Sequence, residues 1–142
     1  MLKRTATSAA FVLVTLAACA VVGVLGEQVF SRRRWLVLYL LGALTGHGLG
    51  ELVQPHQGGT SVVFAAVLGG LAAQALARGS LRPRPVRIEA ALAIPAAALD
   101  TALGDIHGLP FLTGLALAAV WLHRDAPGPD HHPSHFPLGE TP

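Results

Sequence analysis

The sequence predicts an all-α fold, a polytopic membrane helix bundle of about five transmembrane helices. Of 142 residues, 52% are hydrophobic and only 13% charged, with a mean hydropathy of +0.54, a balance that soluble domains do not show. The apolar residues fall in long blocks without the polar face that a soluble core helix keeps. Each block has about 16 to 23 residues, against the ~20 that a helix rising 1.5 Å per residue needs to cross a ~30 Å hydrocarbon core.

The first segment runs from about Thr7 to Val29. Its opening, "MLKRTATSAAFVLVTLAAC", has a basic start and a Leu16–Cys19 box that looks like a lipoprotein cleavage site, which would make Cys19 a lipidated N-terminus. The residues that follow, "AVVGVLG", are still apolar where a lipoprotein has a polar tether, so Cys19 reads as a small buried side chain. As the one cysteine, it has no partner for a disulfide within the chain.

The second segment, Trp35 to Val53, follows the Arg32–Arg34 run and carries His47 and Glu51 on one face at i, i+4. The third, Ser61 to Ala77, opens in "GGTSVVFAAVLGG", where Ser61 is either a helix cap or a nucleophile. The fourth, Val86 to Leu103, contains Pro95, which should kink it. The fifth, Gly108 to His123, is the shortest and must be shielded by its neighbours or begin earlier, near Gly104. Residues 125–142 are Pro-rich and polar and read as a disordered tail behind a bundle of residues 1–124. His131, His132 and His135 lie there without the further ligands a metal cage needs, and no metal or other cofactor is expected.

Charge sets the orientation. With five spans, Lys3 and Arg4 fall on one side, while Arg32, Arg33, Arg34, Arg78, Arg82, Arg84, Arg87 and Arg124 fall on the other. The positive-inside rule then puts the tail in the cytoplasm of a multi-pass protein of the cell membrane. His47, Glu51, Ser61, Asp100, Asp105 and His107 all come to the outer half, where polar groups are costly enough to be functional candidates. Glu89 lies near the cytoplasmic end and reads as interfacial. Ser61 and His107 share a depth, and a serine needs a base such as histidine to become a nucleophile.

Three blocks resemble the rhomboid intramembrane serine proteases. "GEQVFSRRRWLVLYLLGALTGHGLGELV" is similar to the end of the family's second helix, its basic loop and its third helix. "GTSVVFAAVLGGL" looks like the nucleophile segment, with Gly59, Ser61 and Gly69 matching, and "DIHGLPFLTGLAL" looks like the last helix, with His107 and Gly114 matching. The resemblance covers about residues 20 to 122 and looks like the divergent rhomboid-like membrane proteins of high-GC Gram-positive bacteria. It implies a rhomboid-like core lacking the first helix, or one read from a wrongly chosen start. It also implies a Ser61–His107 dyad that cleaves transmembrane segments of other proteins, or an inactive descendant that binds them.

The sequence departs from the family pattern at Val62, which replaces the glycine after the serine, and at Pro110, which replaces a glycine of the histidine motif. Counting back from Glu27, Phe11 and Thr15 stand where the family carries its oxyanion-binding His and Asn. Thr15, His47, Glu51, Asp100 and Asp105 are the supporting polar candidates. Besides the bilayer and such segments, no nucleic-acid partner is expected. The alternative reading is a small transporter or ion-binding bundle built on His47, Glu51, Asp100 and His107.

Overall fold

The apolar blocks form helices, which are the regular structure that runs of this length suit and which satisfy their interior backbone groups within the segment. In the computed structural model, which describes residues 2–53, 60–78 and 83–126, there are five, and no strand occurs among those residues. They are α1 (Leu2–Val29), α2 (Arg32–Val53), α3 (Thr60–Ala77), α4 (Arg84–Ala102) and α5 (Gly108–Arg124). The 54–59 connection, most of the basic α3–α4 linker, and the tail with His131, His132 and His135 lie outside the described residues.

The helices extend beyond the apolar blocks. α1 begins at Leu2, not Thr7, and α2 at Arg32, not Trp35, because basic residues carry a helix past its apolar part. α4 starts at Arg84 with Pro85 in its first turn, where a missing N–H costs nothing, and continues as one element through Pro95. Gly104 does not start α5. With φ of 80° it ends α4, in a turn described below.

The stretch Ala10–Val29 of α1 is long and apolar enough to cross a membrane, a test that a signal sequence near the N-terminus also passes. Ser61–Ala77 is apolar but shorter.

α3 is the centre. It packs against α1, α2, α4 and α5, and α5 in turn meets α2 and α4. Small residues make this possible, since a helix surrounded on all sides must present little bulk. A Cβ on Gly69 would land on the carbonyl oxygen of Phe111, and one on Gly114 on the carbonyl oxygen of Ala66, so α3 and α5 touch backbone to backbone. Gly42 brings α2 against the Val63 carbonyl, Gly23 seats α1 on Phe64, and Gly108 brings the start of α5 against the Ala97 carbonyl of α4. Gly70, the next residue on α3, faces Leu38 and Phe30 instead. Adjacent helical positions are about 100° apart, so two consecutive glycines serve different neighbours.

The far end of the bundle is closed by Arg34, whose guanidinium grips Asp125 through two bonds of 2.5 and 2.9 Å and lies 5.3 Å from the Trp121 ring centre. The Asp125 carboxyl is held below its ordinary pKa, first by the Arg34 hydrogen bonds and also by its charge. α1 and α4 both rest on α3 without substantial packing on each other, which leaves a cleft between them.

Gly114→Leu should push α5 off α3 and cost about 1–3 kcal/mol, the usual range for overpacking, or prevent folding. Gly48→Ala should be neutral or stabilising by up to about 1 kcal/mol, because nothing lies within 4 Å of a Cβ there. Thermal unfolding of the two purified variants against the parent measures the contrast.

Candidate functional site

The α4–α5 turn is built by its glycine. The Gly104 N–H donates to the Thr101 carbonyl at 3.1 Å, and the Asp105 N–H to the Asp100 carbonyl at 2.8 Å. This nested pair is the Schellman arrangement, which needs a left-handed residue at Gly104. The chain leaves it with Asp105 placed to fold back on the next turn. One oxygen of Asp105, Oδ1, accepts the backbone N–H of His107 at 2.8 Å and lies 2.9 Å from His107 Nδ1. His107 is then the residue just before α5.

Ser61 sits in the first turn of α3. The glycine contact between α3 and α5 carries its hydroxyl to 3.2 Å from His107 Nε2. The ring is therefore held at both nitrogens, by Asp105 on one and Ser61 on the other. Ser61 is half-buried, and the Asp105 and His107 side chains are 47% and 45% exposed. The Asp105 carboxyl lies below its ordinary pKa, chiefly because it accepts the His107 backbone N–H, with the side-chain bond adding to this and partial burial opposing it. A hydroxyl in line with an imidazole nitrogen can pass its proton to the ring and leave an alkoxide-like oxygen.

The pair opens into the α1–α4 cleft, through a cavity of about 470 Å³. Its wall includes Thr15, Cys19, Phe64, Ala97, Asp100 and Phe111 along with Ser61 and His107. The Thr45, Thr101 and Thr113 hydroxyls donate to carbonyls one helical turn back, but Thr15 makes no such bond among the described residues. Cys19 is buried at the cavity wall, as a small apolar side chain would be.

The other polar candidates are dispersed. Phe11 is 72% exposed and does not line the cavity; it shares a face of α1 with Thr15 but lies one turn farther toward the N-terminus. His47 is exposed on α2 and also lies outside it, and the Glu51 side chain is not among the described residues. Asp100 lines the cavity without bonding His107. No three His, Cys, Asp or Glu residues come together to hold a metal among the described residues.

Gln74 was not singled out from the sequence. It is 7% exposed on α3, with its Oε1 unpartnered, beside a second cavity of about 390 Å³ farther along the same cleft. An amide inside an otherwise apolar run was the available signal. No family model, curated protein or solved structure matches the chain.

Gly104→Ala should strain the turn by about 1–2 kcal/mol, the cost of a left-handed non-glycine residue. We expect a lower melting temperature and faster hydrogen exchange at the Asp105 amide, with α2 amides unaffected. Unchanged exchange there would show that the turn does not depend on the glycine.

Proposed function

We propose that the chain is a rhomboid-like multi-pass membrane protein that hydrolyses peptide bonds of membrane-associated segments through Ser61 and His107. One observation carries the reading: the Ser61 hydroxyl lies 3.2 Å from His107 Nε2 at the wall of a largely apolar cavity between helices. A serine placed against a base needs only a substrate carbonyl beside it to react. The three sequence blocks that resemble the family support the same assignment. Large apolar side chains exposed on every helix, among them Leu13, Leu40, Leu68, Leu92 and Val120, support a lipid surrounding.

The reaction follows from the two side chains. His107 Nε2 takes the Ser61 hydroxyl proton as Oγ attacks the substrate carbonyl carbon, and the carbonyl oxygen becomes an oxyanion. Collapse breaks the C–N bond, His107 returns its proton to the leaving amine, and the acyl group remains on Ser61. Water, deprotonated by His107, then attacks the ester and releases a carboxylic acid, restoring the serine.

The first-turn N–H of Ser61 is one of the helix donors left without an intrahelical partner and serves the oxyanion, and the Thr15 hydroxyl lines the same cavity. A donor at the Phe11 position is lacking, because that side chain is apolar and turned outward. Loss of one oxyanion donor typically costs ~10²–10³ in rate, so turnover is slow and binding of transmembrane segments outlasts cleavage.

A fluorophosphonate probe should label the purified protein, and Ser61→Ala or His107→Ala should abolish labelling. Failure of the parent protein to label would remove the hydrolase assignment. Thr15→Asn should raise cleavage of a model transmembrane substrate by about tenfold, since it extends a donor into the cavity. Cleavage that survives Ser61→Ala would assign the chemistry elsewhere.

The orientation has its own test. A reporter inserted at Gln57 should read external, and one fused after Arg124 cytoplasmic, following the arginine asymmetry. A cytoplasmic Gln57 reporter would put Ser61 on the wrong side.

A further inference from the structure

We infer that Asp105 is a positioning residue that fixes the tautomer of His107, so that the site works as a Ser61–His107–Asp105 relay and not as a dyad. The inference takes its chemistry from the hydrolase reading above, but its structural content stands apart from it.

A neutral imidazole carries its proton on one nitrogen and a lone pair on the other, and the neighbour of each nitrogen decides which. An ionised carboxylate only accepts hydrogen bonds. With Asp105 Oδ1 at 2.9 Å, His107 Nδ1 is the protonated nitrogen and donates to it. Nε2 is then left with the lone pair, 3.2 Å from Ser61 Oγ, and accepts the hydroxyl proton. In the opposite tautomer Nδ1 would face the carboxylate lone pair to lone pair, and Nε2 could not act as a base.

Asp105 holds this role through its turn. The same Oδ1 accepts the His107 backbone N–H at 2.8 Å, so the carboxylate is anchored to the residue it orients. The Schellman bonds at Gly104 and Asp105 anchor it from the α4 side. The low pKa of Asp105 keeps it an acceptor throughout the neutral range. Asp100, the other acid at the cavity, makes no bond to the ring and does not compete for Nδ1. During catalysis the Ser61 proton moves to Nε2, the Nδ1 proton stays on the ring, and the imidazolium is stabilised by Asp105, which itself takes up no proton.

The test uses the full chain in lipid nanodiscs with ¹⁵N-labelled histidine, the His107 ring signals being those lost in His107→Ala. The parent protein should show the Nδ1–H form at neutral pH, and Ser61→Ala should leave that form unchanged. Asp105→Ala should shift the ring toward the Nε2–H form and slow fluorophosphonate labelling on the order of 100-fold, the scale of a lost general base. Asp105→Asn keeps an Oδ1 pinned by the backbone N–H, so it should hold the Nδ1–H form yet label more slowly than the parent, having lost the charge that supports the imidazolium.

The inference is overturned if Asp105→Ala keeps the Nδ1–H form, or if Asp105→Asn labels within about twofold of the parent. Should Asp105→Ala fail to fold, the parent tautomer and the Asp105→Asn rate still decide. A parent protein that does not label, yet shows the Nδ1–H form dependent on Asp105, would overturn the hydrolase reading and leave this assignment in place.

Discussion

The close approach of α3 and α5 governs everything else in this bundle. Gly69 and Gly114 face each other's helix so tightly that either Cβ would occupy a carbonyl oxygen of the partner. Dispersion falls steeply with separation, so backbone contact gains more attraction per residue than side-chain contact across a gap. The same contact carries the first turn of α3 against the start of α5. Ser61 and His107 meet because the glycines below them do.

The remaining seams follow the same rule with different partners. Gly42 admits the Val63 backbone, Gly23 admits Phe64, and Gly108 admits the Ala97 carbonyl. α1 and α4 have no such seam between them. α1 and α4 each lean on α3, and the space between them becomes the cleft holding both cavities. The candidate site thus lies at one end of a cleft whose other end holds the unpartnered Gln74 amide. The Arg34–Asp125 bidentate pair joins α2 to α5 at the opposite end from Ser61. It is exposed, so its effect on stability is small, and it chiefly fixes which helix ends lie together.

The turn after α4 shows how a local device and a tertiary contact combine. Gly104 reverses the chain in a Schellman motif, and Asp105 caps the following turn by accepting the His107 N–H. Both are short-range and involve residues of one loop. They would set the histidine ring in a defined orientation even without α3. Only the α3–α5 packing brings a hydroxyl to the other side of that ring.

The sequence by itself determined the helical character of the chain, the number of helices and their cores, because apolar runs of about 16 to 23 residues are too long for ordinary strands. It also marked Ser61 and His107, the first by its place at the mouth of an apolar segment and the second by its place at the same depth where the last apolar segment begins. Helix ends were less legible, since Arg32 and Arg84 extend helices whose signal was apolar content. The tertiary structure alone decided which face each residue turns. It set Thr15 in the cavity wall, left His47 outside it, seated Gly69 against α5 and Gly70 against Leu38, and brought the Ser61 hydroxyl to the second nitrogen of His107. Spacing along a chain states how far apart two residues are on one helix. Which of them meets a third depends on how neighbouring helices are rotated, and here the glycines at the helix contacts set that rotation.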